Sequence, residues 1–548
     1  MAMKITLLAI AFNIISILKV TGQPTIQWQV SLGGSLVDQI DQGNVINNNM
    51  AATVDGGVII AGHSFSNDGD VTGHHGLSGT SDYWVVKLDS SGSIEWQKSL
   101  GGSFDEVAKS VFQTQDGGYI ICGDSYSDDG DVSGHHDSTN TTDAWVVKLD
   151  AIGNIEWEHS YGGSDFETAS HIEQTTDGGY VFTGDSRSSD GDVSINKGSL
   201  DFWVVKLDSV GTIEWEKSLG GSGAERAYNF CQTFDGSFLV CGTTTSNDSD
   251  ITFNAHPGFL WDIWLIKLDS TGNKEWDKCY GGSSLDWGYN IRQTADSGYV
   301  LCSATSSTDD DIVGNHGGTD IWLARLDSVG NIRWSKCYGG TSSEQAKSVR
   351  ETPDKGYLIS GSTESSDGDV SSAIGVQDCW IVKTDSMGTI EWEKTYGGTG
   401  RENMAAAVPA SNAGYFFVGE SSSNDIDVAG HHGALSDNDI WAVRLNSLTT
   451  NIDMLFDEIS AMMVTPNPIS STAVISFNLD QNENVVIDIL DVMGKKIKSL
   501  VNEQMNAGKH EFAWNPRSEN SNLSSGTYFI QIKTSNHSLS QRVVLINR

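Results

Sequence analysis

Basic residues are scarce in this chain: 33 Lys and Arg stand against 72 Asp and Glu, a formal net charge of −39 over 548 residues. Phosphate backbones are bound by Lys and Arg that displace counterions, so this balance excludes a nucleic-acid partner and disfavours anionic membrane surfaces. Proline is nearly absent, at 7 residues, and cysteine is odd in number, also 7, which argues against a complete disulfide set. Cys122, Cys241 and Cys302 recur at one position of a repeat, and Cys279 and Cys337 at another. Equivalent positions of successive units lie beyond the roughly 7 Å Cα limit for a bridge, so these read as small buried hydrophobes. Long apolar runs are missing after the N-terminus. There Lys4, an apolar run from Ile5 to Leu18, and Thr21 and Gly22 before Gln23 have the layout of a secretory signal peptide over 1–22. The run is too short to span a bilayer, so the mature chain is expected to be exported without a transmembrane segment.

What is abundant is glycine, at 60, and tryptophan, at 17. The tryptophans fall into two series. One precedes a GG element: Trp28, Trp96, Trp157, Trp215, Trp276, Trp334 and Trp392. The other sits in D-x-W-x-x-[KR], or close to it: Trp84, Trp145, Trp203, Trp264, Trp322, Trp380 and Trp441. Their spacing defines seven units. Within 107–160, VAKSVFQT, YIICGDS, AWVVKLD and IEWEHS are β-rich runs separated by turn pairs such as DG and GN, the signature of successive hairpins. Seven four-stranded units predict a seven-bladed β-propeller over 23–448. TIQWQVSLGGS (25–35) is a fourth strand without a preceding three, and DIWAVRLNS (439–447) a third strand without a following one. The N-terminal strand is therefore expected to close the last blade and remove its free edge. Lys87, Lys148, Lys206, Lys267 and Lys383 should face Glu95, Glu156, Glu214, Glu275 and Glu391 across the third and fourth strands, as structural cross-strand pairs. Arg325 facing Arg333 breaks that rule without an evident reason.

After residue 448 the tryptophan period stops. A spacer over 449–460 leads into about seven short alternating strands over 461–548, which predict a small Ig-like β-sandwich. PNP (466–468), DVMGKKIKSL (491–500), NAGKHEFAWN (506–515), LSSGTYFIQI (523–532) and the closing QRVVLINR resemble, in order, the type A C-terminal sorting domain of the type IX secretion system. The resemblance implies that residues 461–548 are read by the secretion machinery of the outer membrane. It also implies delivery of the chain to the cell surface or the medium.

The most conspicuous polar motif is a D-x-D loop between the second and third strands, as in SDDGDVSGHH (127–136). Its pairs are Asp68/Asp70, Asp129/Asp131, Asp190/Asp192, Asp248/Asp250, Asp309/Asp311, Asp367/Asp369 and Asp425/Asp427. Alternating carboxylates suit Ca²⁺, and Asp68, Asp70, Asp129, Asp131, Asp190, Asp192, Asp367, Asp369, Asp425 and Asp427 are the calcium candidates. Asp and Gly equally make turns that need no ion, and the full EF-hand loop is absent. Zinc on His75, His136, His316 or His432 lacks a convincing His/Cys set.

Catalysis needs an acid and a base in unlike environments, and these acids repeat. The irregular features are the loop 251–264, with Phe253, His256, Phe259 and Trp261, and nearby Trp287 and Arg226. Trp261, Trp287, His256 and Arg226 are candidates for binding a glycan or protein ligand, with aromatic rings for sugar stacking. The loop face with the D-x-D motifs is expected to carry function and the hairpin face to be inert. These features favour an exported, non-catalytic binding or adhesion protein. The alternatives are a polysaccharide-active propeller enzyme and a purely structural repeat cargo.

Overall fold

The computed structural model describes residues 23–446 and 459–545, apart from 41–47, 78, 137–140, 259, 411–413 and 435 in the first stretch and 466–468, 470, 480–481, 491–494, 517–522, 525 and 535–537 in the second. The signal peptide over 1–22, nearly all of the 449–460 spacer, the PNP turn and Phe259 lie outside the described residues. The chain divides into two compact units, Gln23–Leu448 and one that holds Thr449–Arg548. The described secondary structure is all β, with no helix.

In the first unit the described strands form seven antiparallel sheets. A representative sheet runs Glu106–Gln113, Tyr119–Ser125, Asp143–Leu149 and Ile155–Tyr161, each strand beside the next. Second and third strands are buried on both faces, because a neighbouring sheet covers each side. Runs such as YIIC and AWVV are therefore continuously apolar rather than alternating. The Trp of every third strand, Trp84 through Trp441, is fully buried. First strands of successive sheets pack side by side, and Glu402–Pro409 lies against Met50–Ala52 of the first sheet. Ile26–Leu32 pairs antiparallel with Asp439–Leu445, from Ile26↔Leu445 to Leu32↔Ile440. One apolar cluster joins Leu32, Val58 and Trp84 to Phe416, Val418 and Ile440, so the first and last sheets share a core.

The third-strand lysines are buried and doubly paired. Lys87 Nζ lies 2.8 Å from Glu95 and 2.9 Å from Asp55 of the neighbouring hairpin turn, and Lys148, Lys206, Lys267 and Lys383 repeat both contacts. The hairpin aspartate also explains the exception. Asp296 takes both Arg325 and, at 3.5 Å, Arg333, so two cations share one carboxylate. All seven cysteines are free and six are buried.

The C-terminal unit has a three-stranded sheet of Ile459–Thr465, Ala473–Leu479 and Gly508–Trp514 and a four-stranded sheet of Lys496–Met505, Glu483–Leu490, Gly526–Lys533 and Ser538–Leu545. Val464, Ile475, Phe477 and Trp514 of the first meet Val485, Ile487, Ile530 and Val543 of the second in one core.

Candidate functional site

The D-x-D loops act as staples between sheets. In each, the first aspartate accepts the backbone N–H of the Ser or Thr that follows GG, at 2.7–2.8 Å: Asp68 from Ser35, Asp129 from Ser103, Asp190 from Ser164, and so on to Asp425 from Thr399. The second aspartate accepts the N–H of the first glycine at 3.0–3.4 Å and returns its own N–H to that glycine's carbonyl. GG arrives from the preceding sheet, so each loop ties two sheets together. Bonds from Ser35 hold the Asp68 carboxyl below its usual range. The residue between the acids is left-handed, with φ of 63° at Gly69. Ser249, Asp310 and Ile426 adopt it without being glycine, at φ 56°, 54° and 59°, which is strained for the β-branched Ile426.

The histidines bridge carboxylates. His136 Nδ1 lies 2.7 Å from buried Asp143, and its Nε2 lies 3.3 Å from Asp192 of the next sheet. His75 links Asp82 to Asp131, His316 links Asp320 to Asp369, and His432 links Asp439 to Asp70. The hydrogen bond to Asp143 raises the His136 pKa despite partial burial. In the third sheet Lys197 reaches Asp250 instead. Among the described residues, no group of three or more His, Cys, Asp or Glu is set to hold a metal.

Behind each staple a second pair of acids flanks the first glycine of GG. A Cβ on Gly101 would meet Glu106 and Asp82, and one on Gly281 would meet Asp262 and Asp286. Burial pushes Glu106 up to about 7 and Asp38 and Asp201 up to about 6. Asp262 is pushed up to about 7 by burial and then by Asp286. Burial thus keeps these acids protonated to higher pH than exposed carboxylates.

The asymmetric feature is a pocket of about 400 Å³ that brings together Arg226, Trp261 and Trp287 with Tyr228 and Tyr289. The tyrosine rings pack edge to face at 5.5 Å. Both tyrosines are the extra residues of β-bulges, between Ala227 and Asn229 and between Gly288 and Asn290. A bulge re-aims a side chain, and no residue pattern in the sequence announces it. His256, the fourth candidate, lies apart from this pocket, with Nε2 3.1 Å from Asp310. Sequence reasoning also passed over the penultimate position of the second strand. It holds Asp124, Asp185 and Glu420 in three sheets but His63, Thr243, Ala304 and Ser362 in the others. Aligning the repeats by column would have exposed it. Asp185 is pushed up to about 7 by burial, which outweighs the pull of Arg226. With Lys109, Arg187 and Arg226 it lines an adjoining pocket of about 280 Å³.

Stacked antiparallel sheets joined by short turns, with an aromatic pocket and a terminal sandwich, describe a modular all-β protein. Residues 463–547 match the family model of the secretion system C-terminal sorting domain. The sorting domain indicates export by type IX secretion to the cell surface or the medium, and implies interaction with that machinery. Among the described residues no helix is long and apolar enough to cross a membrane.

Over 451 residues the chain is 23% identical to the regulatory protein FlaEY of Caulobacter vibrioides, covering 74% of this chain and 45% of that protein. The chain thus spans less than half the length of this curated relative. Among solved structures it is similar to Sqt1 from Chaetomium thermophilum (9% identity, TM-score 0.37, 76% of this chain and 100% of that one). It is also similar to a DUF4221 family member from Bacteroides vulgatus (9% identity, TM-score 0.35, 77% and 98%). Likeness at that level carries no argument about activity.

Proposed function

We propose that residues 23–448 form a closed seven-bladed propeller that the sorting domain delivers outside the cell, where it binds a glycan without catalysis. The closed ring is supported by the pairing of Ile26–Leu32 with the last sheet and by the core shared between first and last sheets. The observation that carries the binding reading is the pocket of Trp261, Trp287, Tyr228 and Tyr289 around Arg226. Four aromatic rings converge at the fourth and fifth sheets, whereas the residues matching Tyr228 and Tyr289 elsewhere are Lys109, Ser170, Lys347 and Ala405. Aromatic faces stack on sugar rings, and the guanidinium can hold a carboxylate or hydroxyl at the rim.

A glycan array probed with the full chain and with Trp287→Ala tests this. The intact chain is expected to bind a restricted set of sugars, and the variant to bind them at least tenfold more weakly. Equal binding by the variant removes the pocket from the reading. One observation favours the polysaccharide-active alternative: Asp185, an acid with a pKa pushed up to about 7, lines a pocket with Lys109, Arg187 and Arg226 and is suited to general acid catalysis. New reducing ends released by the intact chain but not by Asp185→Asn would establish that alternative.

A further inference from the structure

The opposite end of the first strands carries different chemistry. Phe112, Glu173, Cys231, Arg292, Arg350 and Val408 occupy one register position of six successive first strands, opposite Ile120, Val181, Leu239, Val300, Leu358 and Phe416. Two of the six are arginines, in a chain whose net charge is −39. Both line an open pocket of about 350 Å³ together with Glu173 and Asn48.

Their hydrogen bonding is incomplete. Arg292 Nη1 lies 3.0 Å from Glu173 Oε1 and donates to the Phe230 carbonyl at 3.0 Å. The same carboxylate oxygen is 3.0 Å from His171 Nε2, so Glu173 is already shared. Arg350 donates to the Val349 carbonyl at 2.9 Å, but its contacts with Asn48 and Asn290 are long, at 3.4 and 3.5 Å. It makes no ion pair among the described residues. With His171 neutral, two guanidiniums face one carboxylate. A guanidinium offers five N–H donors in a planar fork; Arg350 engages three of them, two only at long range, and no carboxylate takes any.

The cluster is electrostatically unbalanced. Burial, then the nearby Arg292, pushes the Arg350 pKa down to about 9. Glu173 is held down at about 2 although burial opposes its charge, because Arg292, His171 and Arg350 surround it. Two like charges in a partly desolvated site disfavour the fold unless an anion joins them.

We propose that this pocket is an oxyanion site in which Arg292 and Arg350 together hold a sulfate, phosphate or carboxylate group. The planar fork of arginine matches such groups in bidentate fashion. The anion comes from solution or from a substituent on an acidic sugar; the recognising chemistry is the same. The site is distinct from the Trp287 pocket and does not rest on the glycan reading.

Titration calorimetry of the full chain with sodium sulfate, against sodium chloride at matched ionic strength, tests the site. Saturable sulfate binding is expected, with a matching rise in melting temperature. Arg350→Gln should weaken it at least tenfold while melting, without sulfate, no lower than the parent, since it relieves like-charge repulsion. A variant that melts lower and keeps the sulfate response shows Arg350 to be a packing residue and overturns the proposal. Arg292→Gln combined with Glu173→Gln provides a second arm that leaves no buried carboxylate unpaired, and it should also lose sulfate. Galactose 6-sulfate binding more tightly than inorganic sulfate identifies a sugar source, and equal affinity identifies the free ion. Absence of saturable binding by either overturns the site. Trp287→Ala should leave the sulfate response unchanged.

Discussion

Among the seven third-strand tryptophans, one differs by a single missing partner. Trp84 donates its indole N–H to Gln97, Trp145 to Glu158, Trp203 to Glu216, Trp264 to Asp277, Trp380 to Glu393 and Trp441 to Gln29, at 2.8–3.2 Å. The matching residue in the fifth sheet is Ser335, paired with Ala324 as Gln97 is with Val86. A serine is too short to reach, and the buried Trp322 Nε1 has no partner. An unmet buried donor costs about 1–3 kcal/mol, and a restored hydrogen bond contributes about 1. Ser335→Gln is therefore expected to raise stability by about 1 kcal/mol, read as a higher urea midpoint at unchanged slope. A lower midpoint would mean that the longer side chain does not fit the half-buried site.

The element scale is where the sequence was most legible. Trp spacing, DG turns and the GG connectors fixed the order of the strands, because each is a local requirement repeated seven times. The partnership of Lys87 with Glu95 could be read for the same reason. The double contact of Arg325 and Arg333 with Asp296 could not, since it joins a hairpin turn to two other strands. Tyr228 and Tyr289 were hidden because a bulge changes where a side chain points without changing its residue type. For the D-x-D loops the sequence left calcium and turn formation open. In the structure every first aspartate accepts a backbone N–H from the neighbouring sheet's connector. A cation would have to compete with those bonds. We expect the melting temperature to be unchanged within about a degree in saturating EDTA, because the loop's acids are already satisfied by N–H donors. A fall in EDTA that Ca²⁺ reverses would assign the loops to calcium instead.

At the scale of the whole molecule the buried acids set the response to pH. Asp38 and Asp201 have pKa values raised to about 6, and Glu106, Asp185 and Asp262 to about 7. Asp82, Glu167, Asp286, Asp320, Glu344, Asp378, Glu402 and Asp439 are raised as well, all chiefly by burial. An acid whose pKa is higher folded than unfolded binds more protons in the folded state between those two values, so stability falls as pH rises through that window. His136 acts in the same direction: its raised pKa gives stability that is present at low pH and lost on deprotonation. Surface acids oppose this only further down. Asp116, at about 2 because, although burial opposes its charge, Thr114, Gly118 and Lys148 hold it, and Asp269, at about 2 through the Asn273 N–H, lose their contribution as pH falls below about 4. Stability is therefore expected to peak near pH 5 and to decline toward pH 8, the reverse of an ordinary acid-denatured protein. Melting curves from pH 4 to 9 at constant ionic strength measure this. Glu106→Gln, which stays neutral across the range, should flatten the decline, and a melting temperature that climbs from pH 5 to pH 8 would show that the buried acids are ionised and otherwise compensated.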